Sequence, residues 1–370
     1  MPHRATMTTT FGVMVGACVT LWVAPHAHAQ SIHQIAVNAF VSTAYQYNLN
    51  RPESGVDSYR VFDYNDNSFN LDVAELVVQM AAAKPNDLGF RVDLAGGKTI
   101  PRISKPQDRY NTQYDVQQAF ASYIAPIGTG LRLDVGKYVT HLGYELIEGY
   151  DGYNDNYSRS ILFGFAIPFT HTGAKASYTF NSKVAGMVEV VKGWDLVHDN
   201  NTAKSVGAQL SLTPVSPVSV FLNWIGGPEI ANDNHSTRNV FDVVTIFKAT
   251  SALTLGANGD YGIEKGTSRV DPGSDAKWKG VAGYATYALT GKLSLSLRGE
   301  TFRDEGGTRL GTDSKATLSE ATLTPAYKFS DHVVLRAEVR HDKANQPILV
   351  RRTGLSEQQT TAGFNFIILY

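Results

Sequence analysis

Cysteine is all but absent: Cys18 is the single one in 370 residues. Disulfide frameworks and thiolate-ligated metal sites are therefore excluded beyond that position. An excess of one charge is also missing. Lys and Arg number 33 against 34 Asp and Glu, which leaves neither a basic field for nucleic acid nor an acidic tail. After Gln30 no apolar stretch reaches eighteen residues, so no segment is expected to cross a membrane as a helix. The G-x-S-x-G, H-E-x-x-H and P-loop signatures do not occur. His198-Asp199, Asp331-His332 and His341-Asp342 offer acid and base side by side, but adjacent side chains on a strand point to opposite faces. Asp/Asn-rich runs at 63–67 and 151–156 lack the order of a calcium loop, and these residues favour turns in any case. No catalytic residue, cofactor or metal site is expected.

What is present begins with a leader. Arg4 precedes an apolar run from Phe11 to Val23, and Ala27-His28-Ala29 gives a small-residue cleavage site before Gln30. Residues 1–29 read as a cleaved secretory signal peptide and 30–370 as one domain without an internal linker. Cys18 lies inside the apolar run, which argues against a lipoprotein cleavage box.

The remaining chain alternates at period two. Leu293, Leu295 and Leu297 interleave with Ser294, Ser296 and Arg298; Phe90, Val92 and Leu94 interleave with Arg91, Asp93 and Ala95; Val206, Ala208, Leu210 and Leu212 form a third such set. Each set falls on one face of a strand. A soluble sandwich and a membrane barrel both use such strands, and connection lengths separate them. Short connections fall at 84–87, 126–130, 181–182, 213–217, 250–251, 290–291 and 330–331. Long ones fall at 48–67, 98–112, 140–171, 195–203, 226–237, 262–276, 304–313 and 344–357. The seven short and eight long connections alternate strictly and join sixteen strands. That is the pattern of an all-β transmembrane antiparallel barrel with short turns at one end and long loops at the other. Tyr45, Tyr47, Trp194, Trp224, Trp278, Phe302, Tyr327 and Phe329 lie at strand ends and are expected in aromatic girdles.

The rhythm breaks once, at GKYVTHLGYELIEGYD and NYSRSILFGFAIPFTHTGAKASYTF, between Gly136 and Phe180. This stretch resembles the signature region of the putative beta-barrel porin-2 (OmpL-like) family of outer-membrane proteins. The apolar patch at 161–169 reads locally as a buried strand, but counting it as a wall strand would destroy the long–short alternation. It is therefore assigned to the third long loop, 140–171, which resembles the inward-folded constriction loop of sixteen-stranded porins. A short extra hairpin outside the barrel is the rival reading. Phe364, Phe366, Ile368 and the terminal Tyr370 share one face of the last strand, which looks like the recognition signal of the barrel-assembly machinery.

By alternation, Arg91, Asp93, Arg132, Asp134, Lys175, Glu189, Arg298, Glu300, Glu320, Arg336, Glu338 and Arg340 point inward. Charge on a lipid face near the midplane would cost about 2–4 kcal/mol for Arg. The expected constriction places Glu145, Glu148, Asp151 and Asp155, with Arg159, on the loop. Opposite them on the wall it places Lys175, Arg298, Arg336 and Arg340. The expected function is a passive diffusion pore for small hydrophilic solutes in the bacterial outer membrane. Its expected partners are lipid, the assembly machinery and the solutes, and other sixteen-stranded porins suggest a homotrimer. A barrel enzyme of the lipase or protease type and a closed structural or adhesive barrel are the alternatives.

Overall fold

A computed structural model describes residues 35–104 and 113–370. The leader expected at 1–29 lies outside the described residues. Sixteen strands close into one barrel. They are β1 (Ala36–Asn48), β2 (Ser68–Met80), β3 (Leu88–Gly96), β4 (Tyr114–Ala125), β5 (Leu131–Val139), β6 (Thr170–Asn181), β7 (Val184–Val191), β8 (Ser205–Val215), β9 (Val218–Pro228), β10 (Thr237–Lys248), β11 (Leu253–Glu264), β12 (Ala276–Ala288), β13 (Leu293–Asp304), β14 (Ala316–Ser330), β15 (Val333–Ala344) and β18 (Gln358–Leu369). A separate ribbon of β16 (Leu349–Val350) and β17 (Leu355–Ser356) decorates the last long loop. Among the described residues two short helices occur, α1 (Ile100–Ile103) and α2 (Ile161–Phe165). Among the described residues no helix is long and apolar enough to cross a membrane.

Every wall strand pairs antiparallel with its neighbours in sequence, and β1 pairs with β18 from Phe40↔Leu369 to Asn48↔Thr361. Tyr370 extends that seam: its backbone N–H donates to Ala39 O at 2.8 Å, and Ala39 N–H donates back at 2.9 Å. Closure satisfies the last free edge, which a lipid environment demands because no water is there to pair it. The connections alternate as the sequence implies, two to seven residues at one end and eight to thirty at the other.

The barrel is built inside out relative to a soluble protein. On β13 the outward Leu295 and Leu297 alternate with the buried Ser296, Arg298 and Glu300. On β15 the exposed Val339 alternates with Glu338, Arg340 and Asp342, all buried. On β18 Phe364, Phe366 and Ile368 are exposed while Asn365 and Ile367 are buried. A continuous apolar outer band of this kind fits a bilayer and no aqueous surface.

Two sequence expectations are corrected. The patch at 161–169 contains a helix rather than a strand. Ser160 caps α2, its Oγ accepting from Phe163 N–H at 2.9 Å, and the run ILFGF then buries Ile161, Leu162 and Phe163. Its short apolar length could not distinguish the two periods. The girdle assignment also fails for three aromatics. Trp278 and Phe302 point inward, fully buried, and Trp194 is buried edge-on against Trp278 with ring centroids 6.5 Å apart. Phe302 shares the parity of Arg298 and Glu300, so alternation already placed it inside.

Candidate functional site: the segment between β5 and β6

The segment 140–169 leaves β5 and returns at β6, yet its partners lie around most of the ring. Gly143 N–H donates to Asp242 on β10 at 3.3 Å, and Tyr144 N–H to Asn258 on β11 at 3.2 Å. Tyr150 N–H donates to Glu75 on β2 at 2.6 Å. Asn156 Nδ2 donates to Thr324 on β14 at 2.8 Å, and the N–H groups of Tyr157 and Ser158 donate to Glu338 on β15 at 2.6 and 3.0 Å. Strand β14 stands eight places from β6 in the sixteen-strand order, diametrically opposite.

Two inward carboxylates each accept from two consecutive N–H groups of the segment, Glu338 as above and Glu300. Glu300 accepts from Ile161 and Leu162 N–H at 2.5 and 2.9 Å, at the start of α2. With Ser160 on Phe163, the first three N–H groups that a helix leaves unpaired are satisfied. Alternation alone placed Glu300 and Glu338 inside; their role as backbone acceptors needed the structure.

The wall arginines do the converse and donate to the segment. Arg298 donates to Glu145 Oε1 at 2.7 Å, to Ser158 O at 2.5 Å and to Glu320 on β14 at 2.7 Å. Arg336 clasps both Glu148 oxygens at 2.7 and 3.1 Å, and also donates to Asn154 O and to Asn365. Arg340 donates to Arg159 O at 2.5 Å and pairs with Asp342 at 2.7 Å. The three side chains are 0% exposed. Burial pushes the Glu148 carboxyl up, but the Arg159 and Arg336 guanidiniums outweigh it and hold it below the usual carboxylate range.

Glu145 and Glu148 thus do not stand free across a gap from arginines, as the sequence reading expected. They are in direct contact with them. Arg159 lies within the same cluster, 3.4 Å from Glu148. Asp155 accepts from Thr286 Oγ1 on β12 at 2.6 Å. The structure places the other two residues elsewhere. Asp151 pairs with Arg91 on β3 at 2.7 Å and keeps 49% of its side chain exposed. Lys175 on β6 lies over the Tyr138 ring, 4.3 Å from its centroid. On that same side, Arg132 pairs with Asp134 at 3.0 Å and is 38% exposed. Arg91 and Arg132 were read as inward but were not among the expected site residues.

Apolar packing completes the arrangement. Phe62 of the first long loop meets Phe163 at 5.9 Å and Phe169 at 5.6 Å between ring centroids. Tyr144 stacks on Tyr284 of β12 at 4.0 Å, and Trp278 Nε1 donates to Ala166 O at 3.1 Å. Inward glycines make the room. A Cβ on Gly256 would sit 2.3 Å from the Tyr144 ring, and one on Gly280 would sit 2.6 Å from Leu162 Cδ1.

Comparison with known proteins agrees with this architecture. OmpT of Vibrio cholerae superposes with a TM-score of 0.61 at 12% identity, covering 92% of this chain and 99% of OmpT. The outer membrane channel DcaP of Acinetobacter baumannii gives 0.61 at 13%, covering 91% and 97%. An anion-selective porin from Comamonas acidovorans gives 0.60 at 10%, covering 91% and 99%. At these identities the likeness shows the fold. No curated protein matches the sequence. The family model described as putative beta-barrel porin-2, OmpL-like, matches residues 34–370. The chain therefore belongs to the putative beta-barrel porin-2 (OmpL-like) family, and it is an outer-membrane porin, a channel for the passive diffusion of small solutes.

Proposed function

We propose that the segment 140–169 lies across the lumen and narrows the channel to an eccentric passage beside β3–β6. The observation that carries this is the bonding of one segment, rooted between β5 and β6, to inward side chains on β2, β3 and β10–β15. Contacts on so many walls are met by a segment inside the ring. A sixteen-stranded barrel is wide enough to leave an aqueous channel, so a crossing segment sets its narrowest part. In this reading the inward carboxylates Glu300 and Glu338 and the guanidiniums of Arg298, Arg336 and Arg340 serve to hold the segment.

The charges divide into two groups. Arg298, Arg336 and Arg340, with Glu145 and Glu148, hold the segment and are withdrawn from solvent. Arg132 and Asp151, at 38% and 49% side-chain exposure, face the passage along with the partly covered Arg91 and Lys175. A charge that a permeating ion meets directly acts on it more strongly than one already neutralised by a buried partner. Neutralising Arg132 to Gln is expected to shift the reversal potential in a salt gradient toward cations, and Asp151→Asn to shift it toward anions. Each should change unit conductance only modestly. Planar-bilayer recordings read both quantities. Unaltered reversal potentials in both variants would remove these two residues from the selectivity region.

A second reading, a barrel closed by the same segment, is favoured by the complete burial of the wall arginines. The same recordings decide between them, because a plugged barrel gives no unit conductance in the unaltered protein.

A further inference from the structure

We infer that His141, His171 and Glu189 form a binding site for a divalent transition-metal ion of the zinc class at the root of the segment 140–169. His141 lies two residues beyond β5, His171 is on β6 and Glu189 is on β7. Their ligand atoms all fall within 4.8 Å of one another. His141 Nδ1 is 3.2 Å and His171 Nε2 is 3.9 Å from the same oxygen, Glu189 Oε1. All three side chains are at least nine-tenths buried.

The hydrogen bonds behind the rings fix which nitrogens carry lone pairs. His171 Nδ1 is 3.1 Å from Gly193 O, and His141 Nε2 is 3.3 Å from Trp224 O. A carbonyl can only accept, so those two nitrogens hold the protons. His141 Nδ1 and His171 Nε2 are left as bases, both turned toward a carboxylate oxygen. Metal-binding histidines are held in this way, the far ring N–H donating to a backbone carbonyl. Without a cation, lone pairs and carboxylate repel. Among the described residues, buried His141 Nδ1 and Glu189 Oε1 make no well-aligned hydrogen bond.

A proton on His141 would satisfy one imidazole and the carboxylate; an ion satisfies all three groups at once. Two His and one Glu is a zinc donor set, with a fourth position left to water. Bonds of about 2.0–2.2 Å put tetrahedral ligand atoms roughly 3.3–3.5 Å apart, a range the two measured separations bracket. Two groups compete. The Thr140 hydroxyl lies 3.1 Å from His171 Nε2, and Lys175 opposes Glu189 in the β6–β7 register. The lysine, however, stands over the Tyr138 ring. Separations of 30 and 18 residues hide this set from any local motif, which is why no metal site was expected from the sequence. The inference does not depend on the segment narrowing the channel.

The test uses the full barrel, folded in detergent and freed of metal by a chelator. After loading with Zn²⁺ and gel filtration, one zinc per chain is expected. Loading with Co²⁺ instead should give the intense visible absorption of a four-coordinate ion. His171→Gln and Glu189→Gln should each weaken Zn²⁺ binding roughly tenfold or more. His332→Ala, in the β14–β15 turn, should leave it unchanged. Heat-modifiable mobility on a gel shows whether each variant has folded, and the Co²⁺ spectrum of the unaltered protein stands without them. Failure to retain zinc, retention in both ligand variants equal to that of the unaltered protein, or a weak six-coordinate Co²⁺ spectrum would each overturn the site.

Discussion

Replacing residues 144–166 by a short glycine–serine link is expected to raise the single-channel conductance several-fold. The wall does not need the segment: β5 and β6 pair directly from Arg132↔Ser177 to Val139↔Thr170, and the barrel closes elsewhere through its own ladders. The excision removes the segment-side partners of Arg298, Arg336 and Arg340 together, while Glu320, Asn365 and Asp342 on the wall remain, and water then hydrates the guanidiniums that the segment had covered. It keeps His141 and leaves the lipid face untouched, so assembly should survive. Recordings in planar bilayers, with gel mobility as the folding control, give the answer. A conductance equal to that of the unaltered barrel would mean that the narrowest section lies elsewhere.

The double substitution Arg298→Met with Arg336→Met should release the segment while leaving every residue of it in place. Each guanidinium is fully buried and holds one carboxylate and at least one backbone carbonyl of the segment. Removing one partner of such a buried pair typically costs about 3–5 kcal/mol, because the other charge stays buried and unpaired. Glu145 would keep only Ser160, and Glu148 would keep Asn154 N–H and Arg159 at 3.4 Å. Limited proteolysis of the folded barrel should then cut within 140–169, where the unaltered protein resists, and channel recordings should become noisy with larger open levels. Adding Glu145→Met and Glu148→Met should restore much of the resistance, since an apolar replacement of both partners is often nearly neutral. If the arginine variant stays as resistant as the unaltered protein, the guanidiniums do not hold the segment.

The wall was legible in the sequence because its physics is local. Period-two alternation sets the face, turn and loop lengths set the end, and their parity fixed sixteen strands and kept the patch at 161–169 out of the wall. What was not legible depends on pairs distant in sequence. Arg298 and Glu145 are 153 residues apart, and Arg336 and Glu148 are 188 apart. Inward charge could be read for each, but contact could not, so the acids and bases appeared as opposed rows rather than buried pairs. Trp278 deceived in another way. Its place at a strand end suits a headgroup girdle, and the partners it meets inside, Ala166 of the segment and Trp194, explain its burial. Gly256 and Gly280 carry a signal of their own: side-chain-free positions on an inward face mark where another part of the chain comes close.

The placement of the segment across the lumen is tested most directly by one cross-link. No cysteine follows Cys18, so Asn156→Cys with Thr324→Cys introduces a single thiol pair into the described chain. The native side chains meet there at 2.8 Å, Asn156 on the segment and Thr324 on the wall diametrically opposite β6. Oxidation of the folded barrel, or a short thiol-to-thiol reagent, should join the two positions within one chain, seen by mass spectrometry as a linked peptide pair. Free thiols at both positions in a barrel that has folded would contradict a segment lying across the lumen.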